Sequence, residues 1–133
     1  MKKAVVYWSG TGNTEAMAKA VAEGAGAPLI SAADFGAAQA AELDGIAFGC
    51  PAMGAEALEE SEFEPMFESV KGSLAGKKVA LFGSYGWGDG DWMQLWEDDC
   101  RAAGISLVCP SVICQGEPDA QVLAKCKALG AAL

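Results

Sequence analysis

The sequence predicts an α/β domain: a five-stranded parallel sheet with helices on both faces, a three-layer sandwich. Three observations predict it. Short, almost wholly apolar runs alternate with helical segments along the entire chain. Such runs suit strands buried on both sides, which is the condition of a parallel sheet. The runs are punctuated by Gly, Pro and Ser. The length of 133 residues suits one domain, so residues 1–133 are expected to fold as a unit.

The elements follow in order. Ala4-Val5-Val6-Tyr7-Trp8 is an apolar, β-branched run ending at Ser9-Gly10. Residues 13–23 read as a helix. Glu15, Lys19 and Glu23 recur every four positions on one face, Met17 and Val21 share another, and Gly24 and Gly26 are expected to end it. Pro28-Leu29-Ile30-Ser31 is a weak second strand, and the alanine-rich stretch 32–43 holds one short helix or a loop. Gly45-Ile46-Ala47-Phe48-Gly49-Cys50 is a third strand, stopped by Pro51. Ser61 is expected to open the next helix, because Ser61 and Glu64 match a capping box. Phe63, Met66, Phe67 and Val70 then form one apolar stripe, and Pro65 falls in the first turn, where a missing N–H does least harm. Residues 77–83 form a fourth strand. Asp91 starts a helix expected to turn Trp92, Leu95, Trp96 and Ala103 inward, with Glu97, Asp98 and Arg101 outward. Residues 106–114 read as a fifth, broken strand. Residues 118–129 read as a last helix with Val122, Cys126 and Leu129 on one face.

Composition excludes several classes of function. The net charge of −9 argues against nucleic acid as a partner, since phosphate backbones need clustered Lys and Arg. No apolar run approaches the roughly 18 residues of a membrane span, and no signal peptide is read, so a cytoplasmic location is expected. The five cysteines include no C-x-x-C pair, and histidine is absent. The usual signatures of a disulfide framework or zinc site are therefore missing, and no metal site is expected. The cysteines read as small apolar residues of a reduced core.

Ligands of open α/β sheets bind at the carboxyl ends of the strands. The loop after strand one is Ser9-Gly10-Thr11-Gly12-Asn13-Thr14. Its glycines allow a tight turn with inward N–H groups, its hydroxyls and amide add donors, and it runs into a helix N-terminus. It reads either as a phosphate cradle or as an ordinary turn with an N-cap. Lacking Lys and Arg, it is not a Walker A loop, and Glu15 stands where a dinucleotide fingerprint needs glycine. A single terminal phosphate monoester fits it best. The loop after strand three is Pro51-Ala52-Met53-Gly54-Ala55-Glu56, and that after strand four is Gly83-Ser84-Tyr85-Gly86-Trp87-Gly88-Asp89-Gly90. A glycine-rich polar loop has no core of its own in which to bury Trp87. The indole is better placed as one wall for a flat ligand, with the Met53 thioether as the other. The alternatives are an exposed or partner-binding Trp87 and a Met53 that belongs to the core. Together the three loops describe a ligand with a phosphate at one end and a flat ring at the other, as FMN has.

On these residues the chain resembles the short-chain flavodoxins, particularly those of anaerobic bacteria. The matching stretches are residues 6–15 (VYWSGTGNTE), 49–54 (GCPAMG), 59–65 (EESEFEP) and 76–90 (GKKVALFGSYGWGDG). The resemblance implies the strand order 2-1-3-4-5, with FMN at the switch point. It implies a one-electron carrier of low potential that replaces ferredoxin between redox enzymes, not an enzyme itself. An FMN-dependent quinone or nitro-compound reductase is the alternative. A signalling receiver would need acidic residues where Trp8-Ser9 and Cys50-Pro51 stand, and a low-molecular-weight phosphatase would need a cysteine in residues 9–14.

By similarity, residues 9–14 and Ser84 hold the phosphate, Met53 lies on the inner face of the ring, and Trp87 lies on the outer face. Glu56 meets the pyrimidine edge, near the backbone of Gly86, Gly88 and Asp89. The Gly54–Ala55 peptide is implied to turn over on reduction and to hydrogen-bond N5–H of the flavin semiquinone. Glycine permits that turn. The family often has a polar residue where this chain has Ala55. Glu56, Glu59, Glu60, Glu62, Glu64 and Glu68 follow the middle loop, and Asp89, Asp91, Glu97, Asp98 and Asp99 follow the third. Some are expected to rim the flavin and steer the protein, as a monomer, to basic docking patches on ferredoxin-using oxidoreductases. The alternative is a plain solvated helix face.

Overall fold

Successive residues of a strand face opposite sides of a sheet, so the pair Val5-Val6 must enter two different cores. The computed structural model, which describes residues 2–53, 57–86 and 88–133, has this arrangement. Strands β1 (Lys3–Tyr7), β2 (Leu29–Ser31), β3 (Gly45–Gly49), β4 (Lys78–Tyr85) and β5 (Val112–Gln115) form one sheet. Its order is β2-β1-β3-β4-β5 and all its pairings are parallel. The helices are α1 (Asn13–Ala25), α2 (Ala37–Ala41), α3 (Phe63–Val70), α4 (Asp91–Ala102) and α5 (Ala120–Ala131).

Val5, Ala47, Ala80 and Phe82 face one layer with Met17 and Val21 of α1 and Cys126 and Leu129 of α5. Val6, Ile46, Phe48, Val79 and Leu81 face the other, with α2, α3 and α4. That second core is aromatic. The Phe48 and Phe67 rings meet edge-on at 5.2 Å, and Trp96 stands edge-on to Phe63 at 5.4 Å and to Phe67 at 5.6 Å, a favoured geometry for aromatic quadrupoles.

Several expected boundaries are corrected. Helix α1 passes through Gly24 to Ala25 and is closed by Gly26 in the left-handed region. Gly24 is a packing residue, since a Cβ there would lie 2.0 Å from the Lys127 carbonyl oxygen of α5. The alanine-rich stretch forms a 3-10 turn, Ala32–Asp34, and then the short α2. Helix α3 begins at Phe63 rather than Ser61, and no Ser61–Glu64 capping box forms; another side chain supplies the cap, described below. In α4, Leu95 is 60% exposed and Ala103 lies beyond the helix on the surface, while Met93 and Cys100 join Trp92 and Trp96 in the core. The fifth strand is confined to Val112–Gln115; its broken first part is an isolated bridge from Leu107 to Val79. Helix α5 starts at Ala120, two residues past Pro118, and Asp119 caps it by accepting the Val122 N–H at 2.9 Å.

Strand order positions the ligand loops. Helix α1 leaves β1 for one face and α3 follows β3 on the other. The neighbouring loops after β1 and β3 therefore diverge and leave a crevice between them.

Candidate functional site

The loop after β1 is folded around one oxygen. Ser9 Oγ accepts the backbone N–H groups of Gly12 at 3.1 Å and Glu15 at 3.2 Å. Gly12, which precedes α1, has φ +97°, a conformation that penalises any residue with a Cβ. The N–H groups of Thr11, Asn13 and Thr14 take no protein acceptor among the described residues. They are the free donors of a helix N-terminus, the natural seat of an anion. Thr14 is buried, yet its hydroxyl lies 3.3 Å from Ser84 Oγ and accepts the Ser84 N–H at 3.4 Å. Two hydroxyls that sequence separates by seventy positions thus meet behind the loop. Every donor here is neutral, so a dianionic phosphate would be held by dipoles rather than by a cation. The residues present fit the phosphate end of FMN.

A polar cleft of about 420 Å³ adjoins the loop, lined by Tyr7 to Gly12, Glu15, Ser31 and Glu62. Its carboxylates are tethered. The Tyr7 hydroxyl donates to Glu15 Oε2 at 3.3 Å, and Trp8 Nε1 donates to Glu62 Oε1 at 3.1 Å. Burial, reinforced by the charge and hydrogen bond of Glu15, raises the Tyr7 pKa and keeps that hydroxyl a donor at neutral pH. Gly10 rests on the Trp8 indole, since a Cβ there would lie 3.1 Å from the ring.

The start of the loop after β3 is tied to strand β4. The N–H of Cys50 donates to the Phe82 carbonyl at 3.2 Å and that of Ala52 to the Ser84 carbonyl at 3.0 Å. Buried Trp92 donates its indole N–H to the Cys50 carbonyl at 3.2 Å. Pro51 and Ala52 are half-buried, whereas Met53 is 37% exposed. Tyr85, half-buried, packs its ring 5.5 Å from that of Trp92. Gly86, Gly88 and Asp89 are exposed, with Gly88 at φ +89°. Gly54, Ala55, Glu56 and Trp87 lie outside the described residues.

Sequence reasoning missed three supports. Gly116 N–H donates to the Tyr85 carbonyl at 2.8 Å, and the Gln115 amide donates to the Gly86 carbonyl at 3.4 Å, so β5 braces the third loop. Trp8 reaches Glu62 across the crevice. Above all, Glu59 is neither rim nor solvated helix face: it is 4% exposed. Its carboxylate accepts the N–H groups of Ser61 at 2.7 Å, Glu62 at 2.8 Å and Phe63 at 2.9 Å, and also the Ser61 hydroxyl. Burial pushes its pKa up, but these hydrogen bonds prevail and hold it at about 2. The sequence signal was a glutamate four residues before the helix start; Ser61 masked it as the more familiar cap. Burial, opposed by the Glu59 N–H and reinforced by the Glu59 and Glu64 charges, pushes the Cys50 thiol up to about 12, so it stays protonated. All five cysteines are free and four are buried, as a reduced core requires.

A second cavity, about 480 Å³, lies between β5 and α5 and is lined by residues including Cys109, Val112, Ile113 and Lys125. No expected site residue reaches it.

Sheet order and the crevice between the loops after β1 and β3 define a doubly wound α/β protein, with an uncharged loop whose donors fit a phosphate monoester. The flavodoxin family profile matches residues 5–130. The chain is 48% identical over 120 residues to a flavodoxin of Clostridium beijerinckii, covering 86% of this chain and 87% of that one. It is 43% identical over 133 residues to a flavodoxin of Megasphaera elsdenii, covering 96% and 95%. The solution structure of two-electron reduced Megasphaera elsdenii flavodoxin superposes with a TM-score of 0.88 at 44% identity, over 98% of this chain and 96% of that one. The chain belongs to the flavodoxin family. Flavodoxins bind FMN and carry electrons to redox enzymes.

Proposed function

We propose that the chain, an FMN-binding electron carrier by family, is a low-potential one-electron carrier that works between redox enzymes in place of ferredoxin. In this reading Ser9, Gly10, Thr11, Gly12, Asn13, Thr14 and Ser84 hold the phosphate. Pro51, Ala52, Met53, Gly54, Ala55 and Glu56 enclose one side of the ring. Tyr85, Gly86, Trp87, Gly88 and Asp89 enclose the other. The observation that carries it is the neutral cradle at the start of α1, which faces the loop after β3 across the crevice at the switch point. The bound flavin supplies the redox chemistry. The protein's part is to exclude water from one face, fix the ring and set the field around it. The proposal includes no catalysis of its own, a monomer, a cytoplasmic location and basic docking patches on the partners. Among the described residues no helix is long and apolar enough to cross a membrane.

Titration of the apo-protein with FMN tests this. The expected result is quenched flavin fluorescence, a yellow 1:1 complex, reversible one-electron reduction, and negligible consumption of NAD(P)H by the pure protein. Unquenched FMN would overturn the binding site. Rapid NAD(P)H oxidation with a quinone or nitro compound would favour a reductase instead.

A further inference from the structure

The turn between the second ligand loop and α3 is held in place by one side chain. Glu59 is buried, and its carboxylate gathers three successive backbone N–H groups and the Ser61 hydroxyl. From this turn two links run in opposite directions. Backward, the Glu59 N–H donates to Cys50 Sγ at 3.4 Å, closing the base of the loop that leaves β3 at Cys50 and returns at Glu59. Within that loop the Met53 N–H donates to the Ala57 carbonyl at 3.0 Å. Forward, Glu62 lies in the capped turn, and its carboxylate accepts the Trp8 indole N–H beside Ser9 of the phosphate loop.

We propose that Glu59 is a positioning residue for the cofactor: its capped turn fixes the Met53 loop relative to the phosphate loop, so that both ends of one ligand are met at once. The inference rests on the FMN-binding reading above. A carboxylate is suited to this task because it accepts several convergent N–H donors at once, and charge-assisted hydrogen bonds are shorter and stronger than neutral ones. An amide in its place offers one acceptor oxygen and turns an NH₂ group toward the remaining donors. The turn then opens without any change in the groups that touch the ligand.

The test compares FMN dissociation constants, by fluorescence quenching of the apo-protein, for wild type, Glu59→Gln and Leu129→Ala. Leu129 lies in the core on the opposite face of the sheet and serves as a control for lost stability alone. The expected result is a loss of FMN affinity of about tenfold or more in Glu59→Gln. Leu129→Ala, at a comparable fall in Tm, should stay within about twofold of wild type. The separation of the two one-electron midpoint potentials should change in Glu59→Gln and not in the control. Should Glu59→Gln fail to fold, Ser61→Ala removes one of the four hydrogen bonds and is expected to weaken FMN binding about threefold. Glu59→Gln, or Ser61→Ala in its stead, binding FMN as wild type does would overturn the inference, as would an equal loss in Leu129→Ala. Wild type failing to bind FMN would instead overturn the functional reading itself.

Discussion

A buried carboxylate costs several kcal/mol unless its oxygens are hydrogen-bonded, and Glu59 meets that condition with donors from its own chain within four residues. Its pKa falls from the ordinary 4.5 to about 2, which linkage converts into about 3 kcal/mol of stability at neutral pH. A depressed carboxylate stabilises fully above its unfolded pKa, and the contribution disappears as pH falls from about 4.5 toward about 2. Glu59→Gln is therefore expected to lower unfolding free energy by about 2–3 kcal/mol at pH 7, and in urea titrations the gap to wild type should narrow to about half by pH 3 and close only below about pH 2. Trp96 presents the opposite case. Its indole nitrogen is buried and has no hydrogen-bond partner among the described residues. Phenylalanine would remove that orphan donor and some packing area together, so Trp96→Phe should change stability by less than about 1 kcal/mol in the same assay. Trp87, known from its sequence context alone, is expected to contribute about 1–3 kcal/mol to FMN binding by stacking, measured as the Kd of Trp87→Ala.

At the scale of elements, α1 and α5 cross where two glycines let backbone touch backbone. A Cβ on Gly24 would sit 2.0 Å from the Lys127 carbonyl oxygen, and one on Gly130 would sit 2.1 Å from that of Val21. Alanine is worth about 1 kcal/mol over glycine in a helix, yet here it would force the helices apart. Gly24→Ala and Gly130→Ala should each show a net loss of about 2 kcal/mol by urea unfolding. Gly72→Ala, which meets nothing within 4 Å, should fall within about 0.5 kcal/mol of wild type. Much of this element level was legible beforehand. The apolar runs of β1, β3 and β4 and the Phe63-Met66-Phe67-Val70 stripe announce themselves by period, because burial on one side leaves a regular trace. Leu95 shows the limit. It falls at helical spacing from Trp92, yet the buried stripe of α4 runs through Trp92, Met93, Trp96 and Cys100, and Leu95 is left on its exposed side.

For the molecule as a whole, the net charge of −9 sets a field that acts beyond contact distance. Glu60, Glu62, Glu64 and Glu68 are exposed around α3, and Asp89 and Asp91 are exposed beside the third loop. Electron-transfer rates to a partner with a basic docking patch should fall steadily as ionic strength rises, because the Debye length shrinks from about 10 Å at 0.1 M to about 3 Å at 1 M. A flat salt profile in stopped-flow reduction would show that docking does not depend on this field. Lys71 links Glu68 to Asp99 and so neutralises part of that surface locally, at 2.8 Å and 3.2 Å. The negative field on this face is thus smaller than the plain count of its acidic residues.

The sequence alone determined that strands alternate with helices, where most of the strands lie, and that the loop after β1 carries no Lys or Arg. These are local properties: alternation, glycine placement and residue chemistry are written in consecutive positions. Only the tertiary structure decided what crosses between elements. Thr14 meeting Ser84, Trp8 reaching Glu62, Gln115 holding Gly86 and Glu59 turning inward are contacts or burials set by how the chain returns on itself. A glutamate in an acidic run looks the same as its neighbours until the helix start falls four residues later and three N–H groups need an acceptor. Free energy then depends on the geometry of the turn, which no single residue encodes.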